Sequence, residues 1–460
     1  MHRIYILLLS ALIFVSCSKE EKISTDPNAR LSFSTDTLLF DTVFTTVGST
    51  TRKLKIYNKN KNALRIREIK LAGGNTSEFK ININGSPVST INDQEIGAKD
   101  SITIFIKVNI NPNSANLPFI VTDSLLFETN GNKQKVNLAA YGENANFIDA
   151  ASLTGNTVWN NNLPYVIYNS ALIEQNSTLT IDAGARIYFH KNSKLYIAGT
   201  LKANGTPADS ITFSSDRREA LYKDEPGQWG GLHFLRSSKN NIVSNASIQN
   251  ATIGIRVDSL SENSNPKLIL NNCIVKNMEV TALALYNADL KAFNNLIYNC
   301  GQFLVYAVLG GNYDFKQNTF AGYNFTFARQ NPALYFSDTY SAGNSIQSAA
   351  LNLNLTNNII WGNLDNELLL ERKATFDFNT QIFNNLIKTN KSEFQINGNL
   401  INADPQFVTP RNENYRLTDQ SPALNKGINL TGDSYSPFLI RDIEGKSRIF
   451  PSELGAYEFK

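Results

Sequence analysis

Apolar and polar residues follow three successive arrangements along this chain. Residues 4–15 form an apolar run behind Arg3, interrupted only by Ser10. At about a dozen residues the run is too short to span a bilayer, which needs about 20, and it has the form of a secretory leader. A polar stretch, 17–30, with Pro27 and Asn28, predicts a tether. From residue 31 to 143 apolar and polar positions then alternate in short runs, at 38–40, 52–58, 64–69, 79–83, 101–108 and 136–138. Gly73-Gly74, Asn84-Gly85 and Asn130-Gly131 punctuate them as turns. About seven such strands predict an antiparallel, immunoglobulin-like β-sandwich.

From residue 150 to 460 the pattern changes. Pairs of asparagines five residues apart recur at Asn245/Asn250, Asn272/Asn277, Asn294/Asn299, Asn358/Asn363 and Asn385/Asn390. Their first members are separated by 27, 22, 64 and 27 residues, and the gap of 64 leaves room for two more coils, one near Gln317-Asn318. Short β-rich units at such a period are the mark of a solenoid. A parallel β-helix fits best, because each coil is too small to fold alone and stacking buries its alternate side chains in one core. Asn245, Asn272, Asn294, Asn358 and Asn385 are the expected members of a corner ladder, each side-chain amide bonding to its equivalent one coil away. The fold class expected is all-β, a sandwich followed by a right-handed parallel β-helix.

Composition narrows the function. The chain has 460 residues, 42% hydrophobic and 18% charged, with a formal charge of +3 and 60 asparagines. That charge balance gives no electrostatic case for nucleic acid. Beyond Cys17 only Cys273 and Cys300 occur, in alternating apolar sequence; they read as buried thiols, with a disulfide as the alternative.

Several segments resemble known families. Ser16-Cys17 at the end of the apolar run resembles the lipobox of bacterial lipoproteins, which implies a signal peptide over 1–16 and diacylation of Cys17. Ser18-Lys19-Glu20-Glu21 resembles the export tag of surface lipoproteins of the Bacteroidetes. Residues 31–58, with Phe40-Asp41-Thr42-Val43 and then Gly48, resemble the immunoglobulin-like domains of the spindle-and-cilium (ASPM, Hydin) type, which implies a spacer or docking piece. Leu179-Thr180-Ile181-Asp182-Ala183-Gly184, Ile197-Ala198-Gly199-Thr200-Leu201 and Gly227-Gln228-Trp229-Gly230-Gly231 are similar to the opening coils of bacterial right-handed β-helix proteins. Asp404-Pro405-Gln406-Phe407, Ser421-Pro422-Ala423-Leu424 and Leu454-Gly455-Ala456-Tyr457 are similar to the carboxyl-terminal cap of that superfamily's anchored members. Residues 326–350 depart from the pattern and predict a longer excursion between coils.

Right-handed β-helices include polysaccharide lyases, which need a cation to neutralise a uronate carboxylate and a base to take the adjacent proton. The catalytic candidates are Arg217, Arg218 and His233, within a charged stretch that reads otherwise as a solvated loop. His190 reads as a surface turn. Asp258, Glu262, Asp365, Asn366 and Glu367 offer calcium-type oxygens, but no ligand spacing marks a metal site and no motif calls for a cofactor. Aromatic residues concentrate between Tyr286 and Tyr340 and read mostly as core or ladder stacks, but the run from Phe320 to Tyr340 breaks the coil pattern and is where a sugar-binding patch is sought first. The expected protein is a non-catalytic lipoprotein anchored in the outer membrane and displayed at the cell surface, with a periplasm-facing orientation as the alternative, binding polysaccharide or envelope partners through its β-helix. A polysaccharide lyase or glycoside hydrolase, and a structural envelope component without a ligand, are the competing readings.

Overall fold

The computed structural model describes residues 22–459, apart from 84, 326, 327 and 344. Cys17 and the leader therefore lie outside the described residues. The chain divides into two compact units, one running to Asn144 and one starting at Ala145.

The first unit is a β-sandwich of ten strands: β1 (Ser32–Phe33), β2 (Thr37–Phe44), β3 (Arg52–Tyr57), β4 (Leu64–Leu71), β5 (Phe79–Ile83), β6 (Ser86–Val88), β7 (Thr90–Ile96), β8 (Ser101–Val108), β9 (Phe119–Thr129) and β10 (Asn132–Glu143). They form two sheets, in the orders β1-β3-β8-β5-β6 and β2-β10-β9-β4-β7. Leu54, Ile56, Phe79 and Ile104 from one sheet meet Ile66, Phe127 and Leu138 from the other. Of the extra strands, β1, β6 and β7 lie at sheet edges, Thr-Ile-Asn-Asp-Gln-Glu-Ile forming β7, whereas β9 is central and its Phe-Ile-Val and Leu-Leu-Phe runs break strict alternation. Residues 23–30, expected to be a free tether, are bound to the sandwich instead. Ser24 N donates to Ala63 O (2.8 Å), and the side-chain amides of Asn130 and Asn132 donate to Ser24 O (2.9 Å) and Pro27 O (2.7 Å).

The second unit is a right-handed parallel β-helix with three faces, and its first strand, Asn146–Leu153, starts a few residues earlier than the alternation suggests. The first face stacks Arg186–Phe189, Ile211–Ser215, Ala246–Gln249, Ile274–Met278, Leu296–Cys300, Thr319–Gly322 and Ile359–Gly362. Its inward column, Ile187, Phe213, Ile248, Val275, Ile297, Phe320 and Ile360, is the continuous core that no single coil could bury. Cys273 and Cys300 belong to that core as free thiols, their ionisation pushed up to about 12 by burial.

Each later coil turns from the third face to the first through two residues with different tasks. The first is left-handed: Asn245, Asn272, Asn294, Gln317, Asn357 and Asn384 all have φ between 49° and 59°. The second points inward, and from Asn295 onward these residues form the ladder. Asn295 N and Nδ2 both donate to Asn318 Oδ1 (2.9 Å each), Asn318 donates likewise to Asn358 (2.9 and 3.0 Å), Asn358 to Asn385 (2.8 and 3.0 Å) and Asn385 to Asn399 (2.8 and 3.2 Å). Asn358 and Asn385 are thus ladder members, whereas Asn245, Asn272 and Asn294 sit one residue too early, on the left-handed position. Their inward neighbours are Ala246, Cys273 and Asn295; Asn272 still donates to Asn245 one coil away (3.4 Å), and the second members of the pairs form a row of their own, Asn277 donating to Asn250 (3.3 Å) and Asn299 to Asn277 (2.6 Å). Nor are there two coils between Asn294 and Asn358. There is one, through Asn318, and the extra length goes into residues 323–333 and an antiparallel hairpin, Thr339–Ala342 with Ser345–Ser348, while Leu334–Ser337 remains a rung of the second face. A buried ion pair, Arg329 to Glu367 (2.6 Å), pins the first excursion to the coil.

The carboxyl-terminal segment lies along the outside of the first face. Leu296, Tyr298, Ile359, Trp361 and Leu386 point outward and are covered by Phe407, Tyr415, Leu417, Ile443 and Tyr457. This is why Leu296-Ile297-Tyr298 and Ile359-Ile360-Trp361 are apolar without a break: both sides are buried. Left-handed corner residues hold the segment in place. Asn294 donates to Phe438 O (2.5 Å) and accepts from the buried Arg448 (2.9 Å), and Asn357 exchanges bonds with Ile428 (3.0 Å each way). Replacing Asn358 by Ala strands the two buried donors of Asn318 and is expected to cost about 1–3 kcal/mol or more in urea unfolding. Asn272→Gly keeps the turn, removes a half-buried amide and is expected to cost less than about 1 kcal/mol; equal losses would put the ladder in the wrong row.

Candidate functional site

The first face is covered by the carboxyl-terminal segment from its middle onward, which leaves the second and third faces to present side chains. On the second face Leu195, Leu232, Ile255, Leu283, Val305 and Leu334 point inward, so their neighbours Tyr196, His233, Arg256, Ala284, Tyr306 and Tyr335 form one outward column in register. Tyr306 and Tyr335 are stacked, with centroids 5.6 Å apart and planes 13° apart, and Phe303 leans on both. Tyr286, two positions further along its strand from Ala284, stands edge-on to Tyr306 and to Tyr340 of the hairpin. All five rings are partly exposed.

Next to this shelf is a charged trio. Asp258 accepts from His233 Nε2 (2.7 Å) and from Arg256 Nε (2.8 Å), and the Arg256 guanidinium lies 4.7 Å from the centre of the Tyr286 ring. Burial alone would raise the Asp258 carboxyl, but the bonds from His233 and Arg256 outweigh it and hold the group below its ordinary value. Behind it the buried Lys267 donates to Arg236 O (2.7 Å), Asp258 O (2.8 Å) and Ser259 Oγ (2.8 Å), fixing the turn that carries the carboxylate. Burial pulls the Lys267 amine down to about 8. Arg256, Asp258, Tyr286, Tyr340 and Gln347 line a cleft of about 300 Å³. At the far end of the shelf the Tyr335 hydroxyl bonds Glu371, itself paired with Lys373 (2.8 Å). Burial first, and the hydrogen bond to Glu371 second, push the Tyr335 phenol up, so it remains a hydroxyl donor.

The catalytic candidates are split between two places. His233 is on the second face, in the trio. Arg217 and Arg218 belong to the insertion before Trp229, where Arg217 bonds Glu219 (3.1 Å) and lies 3.7 Å from the Tyr222 ring centre, while Arg218 lies over Tyr188 of the first face. His190, at its turn, pairs with Asp216 (2.7 Å) and stacks on Tyr168. Three of the five calcium-type candidates are engaged elsewhere: Asp258 in the trio, Glu367 by Arg329, and Asn366 Oδ1 by Thr389 and Asn390. Among the described residues no three His, Cys, Asp or Glu side chains are grouped to hold a metal. The aromatic run divides likewise. Tyr313 and Phe336 are core, Tyr298 and Tyr323 lie under the carboxyl-terminal segment, and Tyr286, Tyr306, Tyr335 and Tyr340 form the shelf; Phe327 is outside the described residues. Tyr196, Arg256, Phe303 and Glu371 were not singled out from sequence. The outward column advances by 37, 23, 28, 22 and 29 residues, so no fixed period aligns it.

The third face carries a polar groove of about 580 Å³. Along it Asn352 donates to Asn312 and Asn379 to Asn352 (2.9 Å each), and Asn354 donates to Asp314 (2.9 Å). These side chains largely satisfy one another, which marks an exposed stabilising ladder.

Residues 138–320 match the family described as right-handed beta helix region. No curated protein matches the chain. Among solved structures, similarity is found to a family 123 glycoside hydrolase from Clostridium perfringens (9% identity, 27% of this chain and 30% of that one, TM-score 0.18). It is also found to a PapD-like domain of human CEP192 (8% identity, 26% and 87%, TM-score 0.18) and to a protein of unknown function from Porphyromonas gingivalis W83 (10% identity, 27% and 60%, TM-score 0.19). At these TM-scores the overlaps carry no weight for fold or function, and the chain spans less than a third of the hydrolase.

Proposed function

We propose that this protein is a non-catalytic, lipid-anchored protein of the bacterial cell surface that binds extracellular polysaccharide on the second face of its β-helix. The observation that supports the reading is the shelf of Phe303, Tyr306 and Tyr335 with Tyr286 and Tyr340 beside it. Apolar ring bodies with hydroxyl tips match the alternation of C–H surface and hydroxyls on a sugar, and the Asp258 and Glu371 carboxylates at its two ends are acceptors for sugar hydroxyls. Anchoring rests on the lipobox-like Ser16-Cys17 and the acidic tag behind it.

A lyase is the second reading, because His233 and Arg256 meet on Asp258, and Arg256 and Asp258 line the cleft beside the shelf. The chemistry argues against it. His233 Nε2 and Arg256 Nε both bond the Asp258 carboxylate, so the ring nitrogen a base would use is engaged and a carboxylate already sits where the uronate charge would have to go, and Arg217 and Arg218 belong to another part of the coil surface.

On a glycan array, Tyr306→Ala/Tyr335→Ala is expected to weaken binding by about tenfold or more with no absorbance from unsaturated uronates in either protein. Unchanged binding would remove the shelf as the site, and new absorbance from the parent protein would establish the lyase. Cys17→Ser is expected to move the protein from the membrane to the soluble fraction; continued sedimentation with membranes would refute the lipid anchor.

A further inference from the structure

The strands of the sandwich segregate charge by sheet. The β1-β3-β8-β5-β6 sheet contains Arg52, Lys53, Lys55, Lys80 and Lys107 and no acidic residue. The opposite sheet contains seven acidic residues and five basic ones. Arg52 is taken by Asp41 across the sheet edges (2.6 Å). The four lysines are exposed on the outer side, and none of them appears among the ion pairs of the described residues.

Their placement runs against stability. Lys107 stands directly opposite Lys80 in the β8–β5 pair, where like charges repel and an acidic partner would stabilise the sheet. Phe105, two residues before Lys107, lies between Lys53 on β3 and Asn82 on β5 in the same register and is 38% exposed. The Lys53 amine is 5.6 Å from its ring centre. Phe105, Lys80, Lys107, Thr51 and Asn82 line a cleft of about 460 Å³. Lys80 donates to Ser77 O (2.8 Å) but, like Lys53 and Lys107, meets no carboxylate, and an aromatic floor, an amide and a hydroxyl side chain and a rim of ammonium groups without acidic partners are the complement of a sugar ring carrying negative charge. A membrane surface would call for an apolar group that projects, and here the ring lies within a concavity.

We propose that this sheet face is a second binding site, for an anionic polysaccharide, with a sugar ring seated on Phe105 and its carboxylates or sulfates paired with Lys53, Lys80 and Lys107. The site is in a different unit from the tyrosine shelf, so either can fail alone. The test uses the full-length protein carrying Tyr306→Ala/Tyr335→Ala, titrated with polygalacturonate, dextran and phosphatidylglycerol vesicles at low salt. Polygalacturonate is expected to bind, to weaken as salt is raised, and to lose about tenfold or more in affinity when Lys80→Gln/Lys107→Gln is added. The added pair relieves a like-charge contact, so a melting temperature that is unchanged or raised accompanies the loss; Phe105→Ala is the second variant and should weaken binding as well. No polygalacturonate binding, binding indifferent to both variants, equal binding of dextran, or binding of the vesicles alone would overturn the proposal.

Discussion

The buried amide ladder at the corner between the third and first faces is the constraint on which the later coils depend. From Asn318 onward each inward asparagine oxygen accepts two bonds from the coil before it, through the backbone N–H and the side-chain amide of the equivalent residue. A coil shifted by one residue would leave those donors unpaired in the core, at a cost of about 1–3 kcal/mol for each. Register is therefore fixed from Asn295 to Asn399, although the coils differ in length. The left-handed residue beside each ladder member makes the geometry possible, because asparagine tolerates positive φ better than other side chains of its size.

That fixed register decides what the surface can present. Once inward residues are locked, outward ones align coil by coil, and Tyr306 comes to stack on Tyr335 although 29 residues separate them. The same corner also turns polar groups outward, where Asn294 and Asn357 hold the carboxyl-terminal segment against the first face. Covering one face leaves the aromatic shelf and the polar groove as the two remaining surfaces.

Much of this was legible in the sequence. Asn358 and Asn385 stand inside the ladder, the change of pattern near residue 145 marks a change of unit, and the two later cysteines lie in alternating core sequence. The inward row was misplaced at Asn245, Asn272 and Asn294 because asparagine serves two purposes at one corner, and a spacing of five residues cannot tell a left-handed turn from a buried amide. Asn318 is the instructive case, since its left-handed neighbour is Gln317 and the repeat of paired asparagines skips it. The trio of His233, Arg256 and Asp258 was invisible for a different reason. It is assembled across two coils, and only their register shows that His233 stands directly beside Arg256.

Hydrogen exchange followed by mass spectrometry on the intact protein tests the ladder-fixed register most directly. The account predicts that backbone amides of peptides spanning Asn295, Asn318, Asn358 and Asn385, together with those of the shelf strands Phe303–Lys316 and Leu334–Ser337, exchange only with unfolding of the whole β-helix. Exchange of the shelf strands well before the rest of the unit would contradict it, because side chains on a coil that opens by itself are not held in register.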